Sequence, residues 1–544
     1  MLMAEQTHNS ALQPWPANLA WATRFLLLAG LIGAVVWSVQ ATRSGQAWRA
    51  GAQLLQAGHY SAAVTTLEDA INLAPPGGGP GYTSAQAHLS LSYAYLARRD
   101  FARAAAVLPD ARTTPALAAL IDLQRARIAV ARGDSAAAQS ILASASLSGT
   151  GTGAGGSDAI RRAALWRLGE IRWASGAPDA AQVYKTLAAL PAPPHDPYTL
   201  GAQVRLAALA APTDPAAARQ ALAAARAALP ADPALGVTPD LHLDDLHVTE
   251  GLRAAVISDT IPRLEADLQG AAQVATASPA AQALYWGHAL LSLEAWPQAA
   301  ALLREAVAAG PALADAHAYL GLAQERQGDA KAAEAGYREA LRRAPDRDLA
   351  RHLLARLLIA QHRWAEAAPL LDALLARDPG NVVAHLDRAA WAQGQGLDDV
   401  AEAEYKAAEQ QQIAHAALGT AAPDEQTVDT SLLLAQLYFV AGPVHHDCAL
   451  ARDAAQRAVN RRPTAPALDA LGWAQHLCGD DTTAQATLAR AVAADPQLPS
   501  AQYHYGLVLK GFGDPAARAA LEAAEDLDPG GLWARRALSA LASP

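Results

Sequence analysis

The sequence repeats with a period of 34 residues between positions 280 and 413. Small residues recur at Gly287, Gly321, Ala355 and Ala389, and prolines recur near the ends of the repeats at Pro311, Pro345 and Pro379. Within the repeat from Ala314 to Asp346, small and apolar residues follow helical spacing on both sides of Gly328-Asp329. Glycine permits a turn there and aspartate can cap the next helix. Each repeat is therefore predicted to be two helices folded back on each other.

The residues at these positions also predict how the helices pack. Small residues let two helices approach closely, and larger residues that recur with the same period fill the space above them, namely Leu303, Tyr337, Leu371 and Tyr405. A single pair of short helices cannot bury its apolar face alone, so successive pairs must stack. Alanine dominates the sequence, whereas Phe (4) and Met (2) are scarce, which favours closely packed helices over one bulky core. We find no run of alternating β-branched residues, so we expect no sheet.

The period and the pattern resemble the tetratricopeptide repeat family, whose unit is a helix–turn–helix of 34 residues. The resemblance covers roughly residues 44–530 in about eleven or twelve repeats, and it is strongest over 280–413 and 465–529. It implies an all-α fold, an α-solenoid that forms a right-handed superhelix. In this family the first helix of each pair lines an inner groove that binds protein or peptide partners. Several repeats have His or Leu, such as His317 and Leu468, where the family has an aromatic residue.

The chain can be divided into segments by how closely each one matches the 34-residue repeat. In order, the predicted segments are an N-terminal flank (1–24), a transmembrane anchor (25–41), an N-terminal array (44–190), degenerate repeats (191–279), a regular array (280–413), a C-terminal array (414–530) and a capping helix (531–544).

The predicted anchor is the apolar run FLLLAGLIGAVVWSVQA, held between Arg24 and Arg43. As a helix it spans about 26 Å, slightly less than the ~30 Å hydrocarbon core of a membrane. We expect a single membrane pass, with Trp37 at an interface. Cations flank both ends, so the positive-inside rule does not fix the side of the repeats. The alternative is a signal peptide cleaved after Ala41, which would release an exported protein.

Charge and motifs limit the function. The formal net charge is −10 and the chain has no basic block, which makes nucleic acid an unsuitable partner. We find no phosphate-binding loop, no dinucleotide fingerprint and no hydrolase or metalloprotease motif. The sequence therefore predicts a non-catalytic scaffold with no cofactor and no evident small-molecule substrate. Fold-level analogy adds one alternative, a subunit of an envelope machine for pili, secretion or polysaccharide assembly.

Helical phase places one set of residues on the predicted groove. They are Trp48, Tyr93, Trp166, Trp173, Leu284, His288, Leu322, His352, Arg356, Trp473 and Tyr503. Aromatic residues and arginine are the types that most often anchor interfaces. The alternative is packing between repeats. Trp166 and Trp173 lie two turns apart on one helix face, and they are the strongest candidates for partner contact.

The two cysteines, Cys448 and Cys478, are expected at the same edge of the array, where two antiparallel helices meet. Three interpretations stay open. They are free thiols, a candidate disulfide that would imply an oxidising compartment outside the cytoplasm, or ligands of a metal site. The metal site would include His445, His446 and His476, and it would make the protein a metal-binding protein or a metal-dependent enzyme.

Overall fold

The computed structural model describes residues 17–56, 59–74, 78–79, 82–110, 117–147, 156–192, 196–229, 260–418, 429–440 and 447–543. In the first helix the side chains are described from residue 36 onward. The described chain is almost entirely helical, which confirms the predicted all-α fold.

The first compact unit extends to residue 117. It contains α1 (Ala17–Gln56), α2 (Tyr60–Leu73), α3 (Ser84–Ala97) and α4 (Phe101–Ala106). A two-residue antiparallel pair, β1 (Gly78–Gly79) with β2 (Tyr82–Thr83), lies between α2 and α3. Within the described residues, this two-residue pairing is the one departure from the expectation of no sheet.

The second compact unit starts at residue 118 and contains the remaining described helices. Its N-terminal helices are α5 (Ala118–Ala131), α6 (Ser135–Leu147), α7 (Gly156–Ser175), α8 (Ala180–Ala188), α9 (Pro197–Ala210), α10 (Pro215–Ala227) and α11 (Ile261–Val274). The regular array consists of α12 (Pro279–Ser292), α13 (Trp296–Ala309), α14 (Ala314–Arg326), α15 (Ala330–Arg343), α16 (Asp348–Ala360), α17 (Trp364–Arg377), α18 (Val382–Gly394) and α19 (Asp398–Leu418). The C-terminal helices are α20 (Thr430–Val440), α21 (Cys448–Arg461), α22 (Ala465–Leu477), α23 (Asp481–Ala494), α24 (Pro499–Gly511), α25 (Ala516–Leu527) and α26 (Leu532–Ala542).

The turn within each pair of the regular array uses one left-handed residue. Glu294, Gly328, His362 and Gly396 lie 34 residues apart and have φ of 57°, 86°, 58° and 70°. Glycine adopts this conformation at low steric cost, whereas a side chain there is strained. The Asp329 carboxylate then caps α15 by accepting a hydrogen bond from the Ala332 amide at 3.0 Å. Turn and cap together fix the antiparallel pair that the sequence predicts.

The recurring small residue lies where the two helices of a pair come closest. A Cβ atom on Gly287 would lie 2.6 Å from Leu303 Cγ, and one on Gly321 would lie 2.8 Å from Tyr337 Cε1. Leu303 and Tyr337 are fully buried. The predicted packing of a large side chain over a small residue is therefore confirmed in these pairs.

The described helices on either side of residues 230–259, within and around the segment predicted as degenerate repeats, pack more compactly than a simple stack of pairs. Helices α7 to α13, as far as they are described, share one hydrophobic core. The end of α7 meets α13 directly, since the Gln298 amide donates to the Trp173 carbonyl at 2.9 Å and Pro297 packs against Gly176. This contact joins residues 125 positions apart, which a period of 34 residues does not predict.

The backbone of α1 includes the predicted anchor, residues 25–41, but the side chains up to residue 35 lie outside the described part. Among the residues that the structure describes, no helix is both long enough and apolar enough to span a bilayer.

Candidate functional site

The first helices of successive pairs lie side by side in the second compact unit. From α12 through α14 and α16 to α18, each first helix contacts the next one directly, and the same holds from α20 through α22 and α24 to α26. Successive second helices come less close wherever the structure describes them. Stacked pairs whose first helices approach each other more closely than their second helices curve with the first helices on the inner side.

Four residues spaced by the repeat form a stripe along this inner side. The inner stripe consists of His288, Leu322, Arg356 and Ala390. His288, Arg356 and Ala390 are exposed, and Leu322 is half-buried. Three of the predicted groove residues therefore share one surface, which combines apolar, imidazole and guanidinium groups.

Neighbouring first helices support the inner stripe through contacts between side chains. The His288 ring packs 4.6 Å from Tyr319 on the next first helix. His352 Nδ1 lies 2.7 Å from an Asp387 carboxylate oxygen, while the Arg356 guanidinium is 3.9 Å from the other oxygen. The sequence reasoning missed Tyr319 and Asp387, although they occupy the same position two repeats apart and the period could have identified them.

An aromatic cluster, Trp473, Tyr503, His504 and Trp533, occupies the inner side at the C-terminal end. Trp473 stacks on His504 with ring centroids 4.2 Å apart, and Trp533 packs edge-on against the same imidazole at 5.2 Å. Tyr503 lies 5.6 Å from Trp533. His504 Nδ1 is held 2.8 Å from the buried Asp469 carboxylate. The sequence placed Trp473 and Tyr503 on the groove but did not identify His504 or Trp533.

Trp166 and Trp173 are core residues. Their relative exposures are only 5% and 4%. The Trp166 ring packs 5.9 Å from Tyr184, and the Arg205 guanidinium lies 4.5 Å above the Trp173 ring. Arg205 is fixed by a two-point contact to Glu170 at 2.9 and 2.8 Å. The expectation that these tryptophans line an open groove is corrected, because the compact packing of α7 with α9 and α13 covers that face.

The remaining predicted groove residues are less accessible than the inner stripe. In the first compact unit Tyr93 is buried, with a relative exposure of 4%, and Trp48 is half-buried. In the second compact unit Leu284 and His352 are half-buried. The expectation of partner contact is therefore also corrected for Tyr93, because its side chain is buried.

Cys448 and Cys478 form a disulfide with a Cα–Cα distance of 5.3 Å. It links the first residue of α21 to the turn after α22. Both sulfur atoms are bonded to each other in the disulfide, so neither can be the thiolate ligand that the metal-site alternative requires. His445 and His446 lie outside the described residues, and His476 Nδ1 is 2.6 Å from Asp481. No group of three or more His, Cys, Asp or Glu suited to a metal occurs in the described part of the chain.

Part of the regular array matches a known protein family. Residues 324–386 match the model of the tetratricopeptide repeat family. This match lies inside the regular array, and the helix pairs described above have the helix–turn–helix architecture of that family. Residues 324–386 are thus similar to the tetratricopeptide repeat, and the helix pairs on either side of them repeat the same architecture.

Solved structures provide further comparisons. The chain is similar to the APC/C heterotetramer Cut9–Hcn1, with 14% identity, 86% of this chain and 97% of that chain covered, and a TM-score of 0.38. It is similar to yeast Tom70, with 14% identity, coverage of 91% and 94%, and a TM-score of 0.35. It is also similar to YrrB, described as a TPR protein with an unusual peptide-binding site, with 18% identity, coverage of 38% and 97%, and a TM-score of 0.28. A search of curated protein sequences found no match.

Proposed function

We propose that the protein is a non-catalytic scaffold that holds a protein partner against the inner side of its second compact unit. The observation that carries this proposal is the inner stripe of His288, Leu322, Arg356 and Ala390, which remains accessible across four consecutive repeats. A surface of this length fits an extended segment or a helix of a partner. The fixed turns and close helix contacts support it, because a rigid groove loses little conformational entropy on binding.

We also propose that residues 25–41 attach the protein to a membrane. Val36, Trp37 and Val39, at the end of the apolar run, are 49%, 57% and 47% exposed in α1. Three adjacent exposed apolar side chains on one helix are unfavourable in water and favourable at a bilayer interface. Helix α1 runs without a break from Ala17 to Gln56, so the predicted anchor is continuous with the first helix of the first compact unit.

We place the repeats on the oxidising side of that membrane. The Cys448–Cys478 disulfide supports this location, because structural disulfides persist in oxidising compartments and are rare in the cytoplasm. A membrane-impermeant thiol reagent applied to intact cells should label the cysteines only after external reduction. Labelling that requires lysis but no reductant would place the repeats in the cytoplasm instead. The mass of the purified chain distinguishes an uncleaved anchor from cleavage after Ala41.

Charge reversal on the inner stripe tests the binding proposal. In the full chain, Arg356→Glu combined with Ala390→Glu should reduce the amount of partner that co-purifies, while the helical signal and melting temperature stay unchanged. The matched control is Ala308→Glu with Ala335→Glu, at two exposed positions on second helices. Equal recovery of partner by both double variants would contradict binding on the inner side.

A further inference from the structure

The first helices from α12 to α26 differ in charge from the chain as a whole. The whole chain has 42 Lys and Arg against 52 Asp and Glu. These first helices have five acidic residues, and every one contacts a basic or hydroxyl side chain in the array. The pairs are Asp315 with Arg347, Glu325 with Tyr337, Asp348 with Arg351, Asp387 with His352, and Asp469 with His504. Each carboxylate on these helices is therefore already engaged by a side chain of the array.

Several arginines on these helices, among them Arg356 and Arg536, have no carboxylate partner that is not already engaged elsewhere. The Arg356 side chain is 54% exposed, and the Asp387 carboxylate, its nearest carboxylate at 3.9 Å, is already held by His352 at 2.7 Å. Arg536 is exposed and lies 5.2 Å from the Trp533 ring, and it has no ion pair within the described part of the chain. On the inner side, cationic groups thus outnumber the carboxylates that could neutralise them.

Arg536 adjoins the aromatic cluster, which is rigidly supported. The imidazole of His504 is held between Trp473 and Trp533 and anchored to Asp469. Burial raises the pKa of Tyr503 above its usual value, against the lowering influence of Arg536. The Tyr503 hydroxyl therefore keeps its proton at neutral pH and can donate a hydrogen bond beside the guanidinium. A guanidinium, a phenol hydroxyl and flat apolar rings are the groups that recognise a carboxylate next to an apolar side chain.

We infer that the cluster formed by Arg536, Tyr503, Trp473 and Trp533 binds an acidic residue of a partner protein, with a neighbouring apolar side chain of that partner packed on the indoles. This inference rests on the proposed scaffold function and names the chemistry of the partner. The partner is a protein segment because the donors are few and separated by apolar rings, whereas a nucleic acid requires an extended basic surface and this chain has a net charge of −10.

The test uses random dodecapeptides displayed on phage and selected on the purified full chain. Peptides that bind the wild-type chain should be enriched in Asp or Glu next to aromatic or aliphatic residues. A synthetic copy of the most enriched peptide should bind Arg536→Gln at least about tenfold more weakly, the size expected for loss of one charge-assisted hydrogen bond. Tyr503→Phe should also weaken binding while leaving the fold unchanged. Arg535→Gln is the matched control, because Arg535 donates to the Gly530 carbonyl outside the cluster.

The other possible outcomes distinguish failure of the acidic subsite from failure of the binding groove as a whole. Enriched peptides without acidic residues, or equal affinity for the wild type and Arg536→Gln, would overturn the acidic subsite. If those peptides still lose affinity for the Arg356→Glu, Ala390→Glu variant, the scaffold function stands without this subsite. If no peptide is enriched on the wild-type chain above an immobilised blank, both the subsite and the binding groove are contradicted.

Discussion

Removal of the Cys448–Cys478 disulfide should weaken the C-terminal repeats by a large and local amount. The bond joins residues 30 positions apart. For a loop of this length the chain-entropy relation gives about 3.6 kcal/mol at 25 °C. It links the start of α21 to the turn after α22, so it holds two neighbouring helix pairs together at the place where residues 441–446 interrupt the repeat. Replacement of both cysteines by serine should therefore lower the local free energy of opening by nearly this amount.

Native-state hydrogen exchange of the purified full chain measures the local effect. Amides in α21 and α22 should exchange roughly 400-fold faster in the double serine variant, from about 1.4 kcal/mol per tenfold change. Amides in α12 to α18 should be unaffected, because each repeat contacts only its neighbours. Wild-type protein treated with reductant should behave like the variant, and the variant should not respond to reductant. Unchanged exchange in α21 and α22 would refute the stapling role of the disulfide.

Three further changes test the packing and the electrostatics by chemical unfolding. Glu294→Gly should stabilise the chain by up to about 1 kcal/mol, because Glu294 has a φ of 57°; a loss would show that its side chain matters more than its strain. Gly321→Ala should cost about 1–3 kcal/mol through overpacking, whereas Gly511→Ala, with open space around it, should cost nothing. Glu404, bonded to His385 Nδ1 at 2.6 Å, raises the pKa of His385. His385→Gln should therefore be most destabilising below about pH 6.5, with the difference disappearing as pH rises through the raised pKa; a difference independent of pH would contradict this charge coupling.

The regular array was predictable from the sequence because its determinants are local. A turn residue, a cap and a small-against-large contact such as Gly321 with Tyr337 all lie within one repeat. Periodicity reveals such features directly. The inner stripe follows from the same period, since its residues are spaced by one repeat and the structure leaves them accessible.

The buried environment of Trp166 and Trp173 was not predictable in the same way. The helical periodicity predicts which face of α7 carries these two residues. Their burial, however, depends on α9 and on a contact with α13 between residues 125 positions apart in the sequence. The pattern of residues within one repeat does not predict that contact. His504 and Trp533 were missed for a related reason, because their importance comes from stacking between different helices.

The central claim is that a partner occupies the inner side of the second compact unit, and site-specific photo-crosslinking in native membranes tests it most directly. A photo-reactive amino acid is placed at His288 or Ala390 on the inner stripe, or at Ala308 or Ala335 on exposed second-helix positions. We expect one discrete crosslinked partner from both inner positions and none from the outer positions. Crosslinks that form only from Ala308 and Ala335 would contradict it and assign partner binding to the outer surface.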